Sequence, residues 1–77
     1  MVLEYSPHAR QKMIERGITD AEVELVMQAP DQNYPHPRVP GSKVAVKSVN
    51  GRQLKVIYIN PSILRTIIVT VFPTGKP

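Results

Sequence analysis

With 77 residues and no cysteine, this chain has room for one small hydrophobic core and no disulfide or thiolate–metal staple. An apolar content of 42% suits a globular domain, and no apolar run approaches the ~18 residues of a membrane-spanning helix. The net charge of +4 is unevenly placed, because all 6 acidic residues precede Gln32 while Arg38, Lys43, Lys47, Arg52, Lys55, Arg65 and Lys76 follow it.

The start, Met1-Val2-Leu3-Glu4, lacks the basic and apolar segments of a signal peptide, so a soluble, cytoplasmic protein is expected. Ser6-Pro7 then opens a helix. Serine caps free backbone N–H groups, and proline at the first helical position loses nothing by lacking one. The helix should run from about Pro7 to Arg16 and end on Gly17, with Ala9 and Met13 on its buried stripe. Thr19-Asp20-Ala21-Glu22 is a capping box for a second helix, with Ile18 and Val23 as the hydrophobic staple. Ala29-Pro30 stops that helix.

Residues 30–42 carry Pro30, Pro35, Pro37, Pro40 and Gly41, which predicts a connector with at most a short edge strand near Gln32–Tyr34. Strand-like runs follow at Lys43–Val49, Arg52–Ile59 and Arg65–Phe72. They are joined by the hairpin signal Asn50-Gly51 and by a turn expected at Asn60-Pro61-Ser62. The reading is a single α+β domain over 1–77, with a helix hairpin at about 7–29, a connector at 30–42 and a meander at 43–72. Two N-terminal helices should cover one face of a three- to four-stranded antiparallel sheet and leave the other partly open.

Several polar residues are candidates for chemistry. His8 lies in the first helical turn, where the helix dipole disfavours imidazolium; it is either a general base or a histidine that only packs or hydrogen-bonds at a helix start. His8, Lys12 and Arg16 share one flank at i, i+4 and i+8, which makes either a phosphate-binding row or a solvated one. The grouping of Lys47, Arg52, Lys55 and Arg65 depends on hairpin register. A two-residue turn puts Lys47 opposite Leu54, on a face shared with Arg52 and Tyr58, and sends Lys55 to the other side with Ile57 and Ile59. A three-residue loop with a bulge would place Lys47 beside Lys55. Tyr58 and Thr70 bring hydroxyls to a sheet face, and Tyr34, Tyr58 and Phe72 are either base-stacking rings or core. There is no phosphate-cradling glycine loop, nucleophile elbow or carboxylate cluster, so neither a metal nor a cofactor is expected.

Ser6-Pro7-His8-Ala9-Arg10, Glu15-Arg16-Gly17-Ile18, Val23 and Pro30 resemble the start of the domain-of-unknown-function 4258 family. Gly51-Arg52-Gln53-Leu54-Lys55-Val56 and Ile68-Val69-Thr70-Val71-Phe72 look like its strand motifs. That family is similar to the superfold of RelE-like and barnase-like small toxins. The resemblance implies two helices against a curved antiparallel sheet and metal-independent cleavage of RNA, often in toxin–antitoxin settings. Carried over by position, His8, Arg16, Lys47 and Thr70 match the family's polar positions and are the expected catalytic residues, with Arg52 and Lys55 as weaker matches. His8 would be the base or acid, Lys47 and Arg16 would stabilise phosphate oxygens, and Thr70 would position one. Lys12, Arg52, Lys55, Arg65 and Tyr58 would contact the nucleic acid. The implied partners are RNA and a cognate antitoxin or other acidic protein, with no membrane. The alternative function is a non-catalytic module that binds an acidic protein. The functional expectation is that the strand cations gather, free of carboxylates, on one accessible surface beside His8.

Overall fold

The computed structural model describes residues 2–74. In chain order the elements are β1 (Glu4–Tyr5), α1 (Pro7–Arg16), α2 (Asp20–Gln28), β2 (Gln32–Pro35), β3 (Ser42–Val49), β4 (Arg52–Ser62) and β5 (Arg65–Thr74). They form one 5-stranded sheet in the order β1-β5-β4-β3-β2, with α1 and α2 on one side. No helix among the described residues is long and apolar enough to cross a membrane.

Both helices begin and end for local reasons. The Ser6 hydroxyl accepts the Ala9 N–H at 3.0 Å and donates to the Val69 carbonyl at 2.9 Å, so one side chain starts α1 and docks it on β5. Gly17 ends α1 at φ 64°, the left-handed conformation that a helix stop requires. At the start of α2, Thr19 and Glu22 exchange backbone bonds in a reciprocal capping box.

The sheet differs from expectation in two ways. It has 5 strands rather than three or four, and it is mixed, because β1 runs parallel to β5 through the pairs Glu4↔Ile67 and Tyr5↔Ile68. Two residues are too few for a period-2 pattern, and only tertiary docking holds them in the sheet. A further difference concerns the β4–β5 turn. Asn60, Pro61 and Ser62 continue β4, and the chain reverses at the exposed pair Ile63-Leu64. The Asn60 amide donates across the hairpin to the Arg65 carbonyl and the Thr66 hydroxyl instead of closing a turn on its own backbone.

Asn50 (φ 53°) and Gly51 (φ 83°) make the two-residue β3–β4 turn that suits twisted strands. Its register pairs Lys47 with Leu54 and Lys55 with Val46. Alternation then sends Ala45, Lys47, Val49, Arg52, Leu54, Val56 and Tyr58 towards the helices. Lys55 and Ile57 face the opposite way. A bulge at Val69 puts Thr70 opposite Ile57 but Ile68 opposite Tyr58, so Ile68 and Val71 both reach the helix side.

The main core packs Ala9, Met13, Val23 and Val26 against Leu54, Val56, Ile68 and Val71. Tyr58 belongs to this core. It is 5% exposed, and its hydroxyl donates to Asn33 Oδ1 at 2.9 Å, so it is not a stacking platform for RNA. Tyr58→Phe should cost only about 0.5–1.5 kcal/mol in urea unfolding, because the exposed Asn33 amide regains water. A loss above about 3 kcal/mol would contradict that assignment.

Candidate functional site

On the face away from the helices, Val44, Val46 and Ile57 form a second buried cluster beneath Tyr34, Val69 and Phe72. Strand register explains the arrangement. Tyr34, Val44, Ile57 and Thr70 lie in one row across β2–β5, and Val46, Lys55 and Phe72 lie in the next. The result is a cleft of about 270 Å³ with Val44 and Ile57 in its floor, Tyr34 on one rim and Phe72 on the other.

Its far wall comes from the proline-rich connector. The His36 N–H donates to the Ser42 carbonyl at 2.9 Å, and the Ser42 N–H donates back to the Val39 carbonyl at 3.1 Å. His36 Nδ1 accepts the Arg38 and Val39 N–H groups at 3.0 and 3.2 Å. With Nδ1 engaged as an acceptor, the tautomer that fits this network carries its ring proton on Nε2. His36, Pro37 and Arg38 line the cleft together.

Phe72 is flanked by two cations. Lys55 Nζ and Arg16 Cζ each lie 5.8 Å from the ring centroid, within reach of cation–π attraction. Arg16 also donates to the Val71 carbonyl at 2.9 Å, which fixes it against the margin of β5. No carboxylate lines the cleft, and among the described residues Arg16, Arg38 and Lys55 form no salt bridge.

The sequence-expected site residues divide between the two faces. Arg16, Lys55 and Thr70 belong to the open face or its β5 margin. His8 is exposed in the first turn of α1, whose start is docked to β5 through Ser6. Lys12 pairs with Glu15 at 3.3 Å. Lys47 does not join them. It stands on the helix-bearing side of β3, where its ammonium donates to the Ala29 carbonyl at 2.9 Å and lies 3.6 Å from Asp31. β4 lies between Lys47 and Thr70, and Lys47 is level with Leu54 whereas Thr70 is level with Ile57, three residues along. At ~4.8 Å per strand and ~3.4 Å per residue their backbones are roughly 14 Å apart, and their side chains leave opposite faces. His8, Arg16, Lys47 and Thr70 therefore do not converge on a single phosphate.

Two other expected nucleic-acid contacts have structural partners. Arg52 donates to the Arg16 and Gly17 carbonyls at 3.1 and 2.8 Å and pairs with Glu22 at 3.2 Å. Arg65 makes a two-pronged contact with Glu4 at 2.9 and 2.8 Å, which ties β1 to β5. The Arg65 guanidinium holds the exposed Glu4 carboxyl below its ordinary range. The Thr19 N–H foremost, then Asn50 and Arg52, hold Glu22 below its own. Four of the expected cations are thus matched by acids, contrary to the expectation of a carboxylate-free gathering.

His36 and Arg38 are functional candidates that residue patterns alone do not bring out. Their signal was the proline density of 30–42, which stiffens the connector enough for it to serve as a wall. No group of three or more His, Cys, Asp or Glu able to hold a metal ion occurs among the described residues.

Comparison with known proteins gives one assignment. No curated protein and no solved structure shows a significant match. A family model described as a domain of unknown function (DUF4258) matches residues 5–73, a span from β1 into β5 that holds both helices and nearly all of the open-face cleft's frame. The chain belongs to the DUF4258 family.

Proposed function

We propose that this protein is an RNA-binding module that takes single-stranded RNA on the open face of its sheet. The observation that carries this reading is the make-up of the cleft: aromatic rims at Tyr34 and Phe72, cations at Arg38, Lys55 and Arg16, and no lining carboxylate. Unpaired bases stack on aromatic rings whatever their sequence, while Lys and Arg track the phosphates. An apolar floor of Val44 and Ile57 suits a flat base, and the Nε2–H of His36 suits a phosphate or carbonyl oxygen. A duplex hides its base faces and would forfeit the stacking.

The kinship with RelE-like and barnase-like toxins that the sequence motifs suggest would add cleavage to this reading. The geometry favours binding over cleavage. His36 Nδ1 is occupied by two backbone N–H groups and so is not free to act as a base. Lys47, expected at the reacting phosphate, is bonded on the other face.

The test is titration of labelled single-stranded RNA, duplex RNA and an acidic peptide at graded salt. Three phosphate contacts, from Arg16, Arg38 and Lys55, predict a log–log salt slope of about −2 for the single strand. The same samples, incubated in chelator, should return the RNA intact. A flat salt response or a preference for duplex would sink the proposal. Preference for the acidic peptide would move the function to the protein-partner alternative, and cleavage abolished by His8→Ala would move it to the ribonuclease.

A further inference from the structure

We infer that a bound RNA strand does not end at the cleft but crosses the margin of β5 onto α1, where Arg16, Lys12 and His8 form a phosphate track. This rests on the open-face binding proposed above and extends it to a second subsite.

The β5 margin is unusual for a sheet edge. β1 pairs with it only at Ile67 and Ile68, so the stretch that follows has no strand on its outer side. Side chains of α1 close the gap. Ser6 Oγ bonds the Val69 carbonyl and Arg16 bonds the Val71 carbonyl. The Phe72 rim of the cleft therefore continues onto the surface of α1. Arg16 is common to both, since it lies 5.8 Å from the Phe72 ring and is the last member of the i, i+4, i+8 flank. At ~1.5 Å rise per residue that flank extends the cationic path by about 12 Å. Thr70, half-buried on the open face, lies one row from Phe72 along the crossing.

One acid restrains the track. Glu15 accepts from Gln11 at 3.0 Å and from Lys12 at 3.3 Å, which occupies the Lys12 ammonium on the helix surface. A strand must draw Lys12 away from Glu15 to use it. Removing the Glu15 charge should therefore strengthen the longer oligomers more than the short ones, whereas a change in long-range charge alone would act on both.

The experiment is fluorescence anisotropy with oligouridylates from about two to about twelve nucleotides, bracketing much of the ~4–16 that single-strand-binding folds cover. Affinity should rise with length beyond what the cleft alone can hold. Lys12→Ala and His8→Ala should each weaken the longer oligomers by about threefold. Lys12→Ala should also make their salt slope shallower by about 0.7. Glu15→Gln should tighten the longer oligomers by a similar factor, with its unfolding midpoint measured alongside. If the longer oligomers bind Lys12→Ala and Glu15→Gln as they bind the parent, with the same salt slope, the track is wrong while the cleft stands. If no oligomer of any length binds, the cleft reading fails and the track fails with it.

Discussion

Glu22→Ala should lower the unfolding free energy by about 2–4 kcal/mol and the melting temperature by roughly 10–25 °C. Glu22 is 7% exposed, and its carboxylate joins the start of α2 to the β3–β4 hairpin, 28 to 30 residues away in sequence. It accepts the Thr19 N–H at 2.9 Å, which caps α2. It accepts the Asn50 amide at 3.1 Å, which holds the β3–β4 turn. It also pairs with Arg52 at 3.2 Å. Arg52 in turn covers the last carbonyls of α1. Losing the cap alone costs about 0.5–2 kcal/mol. The rest comes from leaving Arg52 without its counter-charge. The Arg52 side chain is 33% exposed, so water recovers part of that loss. A loss below about 0.5 kcal/mol in urea unfolding would refute the role.

The same carboxylate sets a pH limit on stability. Its folded-state pKa is lowered, so the folded protein releases this proton more readily than the unfolded chain does. The stabilisation is complete above the ordinary carboxylate value of ~4.3 and drains away as pH falls through the lower folded value. Glu22→Gln keeps an acceptor for the cap but has no charge to protonate. Its stability should therefore change less than the parent's as pH falls below ~4.3. Glu4, lowered by Arg65 but exposed to solvent, adds little to that slope.

Local chemistry made both helices legible in the sequence. Ser6-Pro7, Gly17 and the Thr19/Glu22 box each satisfy backbone groups within a few residues, so no tertiary information was needed. Asn50-Gly51 went further, because a two-residue turn carries a parity that separates Lys55 from Lys47. Tertiary docking was not legible. β1 has two residues and exists only because Ile67 and Ile68 lie beside it. The charge distribution misled for the same reason. An acid-free second half is not an acid-free surface when Glu22 folds back to Arg52, Asp31 to Lys47 and Glu4 to Arg65. Among the described residues Arg16, Arg38, Lys43 and Lys55 have no acidic partner; Arg16, Arg38 and Lys55 line or border the cleft, and Arg38 sits in a connector that residue patterns describe only as irregular.

Lys55 and Lys47 permit a test of the open face, since they lie in adjacent strands and point to opposite sides, Lys47 towards Asp31 and Lys55 towards the cleft. Lys55→Ala and Lys47→Ala change the net charge equally, so long-range steering changes about equally and the difference reports location. Lys55→Ala should weaken single-stranded RNA by about three- to tenfold and make the salt slope shallower by about 0.7. Lys47→Ala should leave affinity near the parent value. Phe72→Ala should cost more. A stacked base is worth ~1–3 kcal/mol, or roughly 5–150-fold in affinity. Phe72 also packs on the second cluster, so its unfolding midpoint must be measured and the titration run well below it. Phe72→Tyr keeps a ring at the rim and should restore most of the binding, whereas Phe72→Leu keeps apolar bulk and should not. Equal losses for Lys47→Ala and Lys55→Ala, or full affinity in Phe72→Leu, would show that RNA is held by diffuse positive charge and not by the cleft.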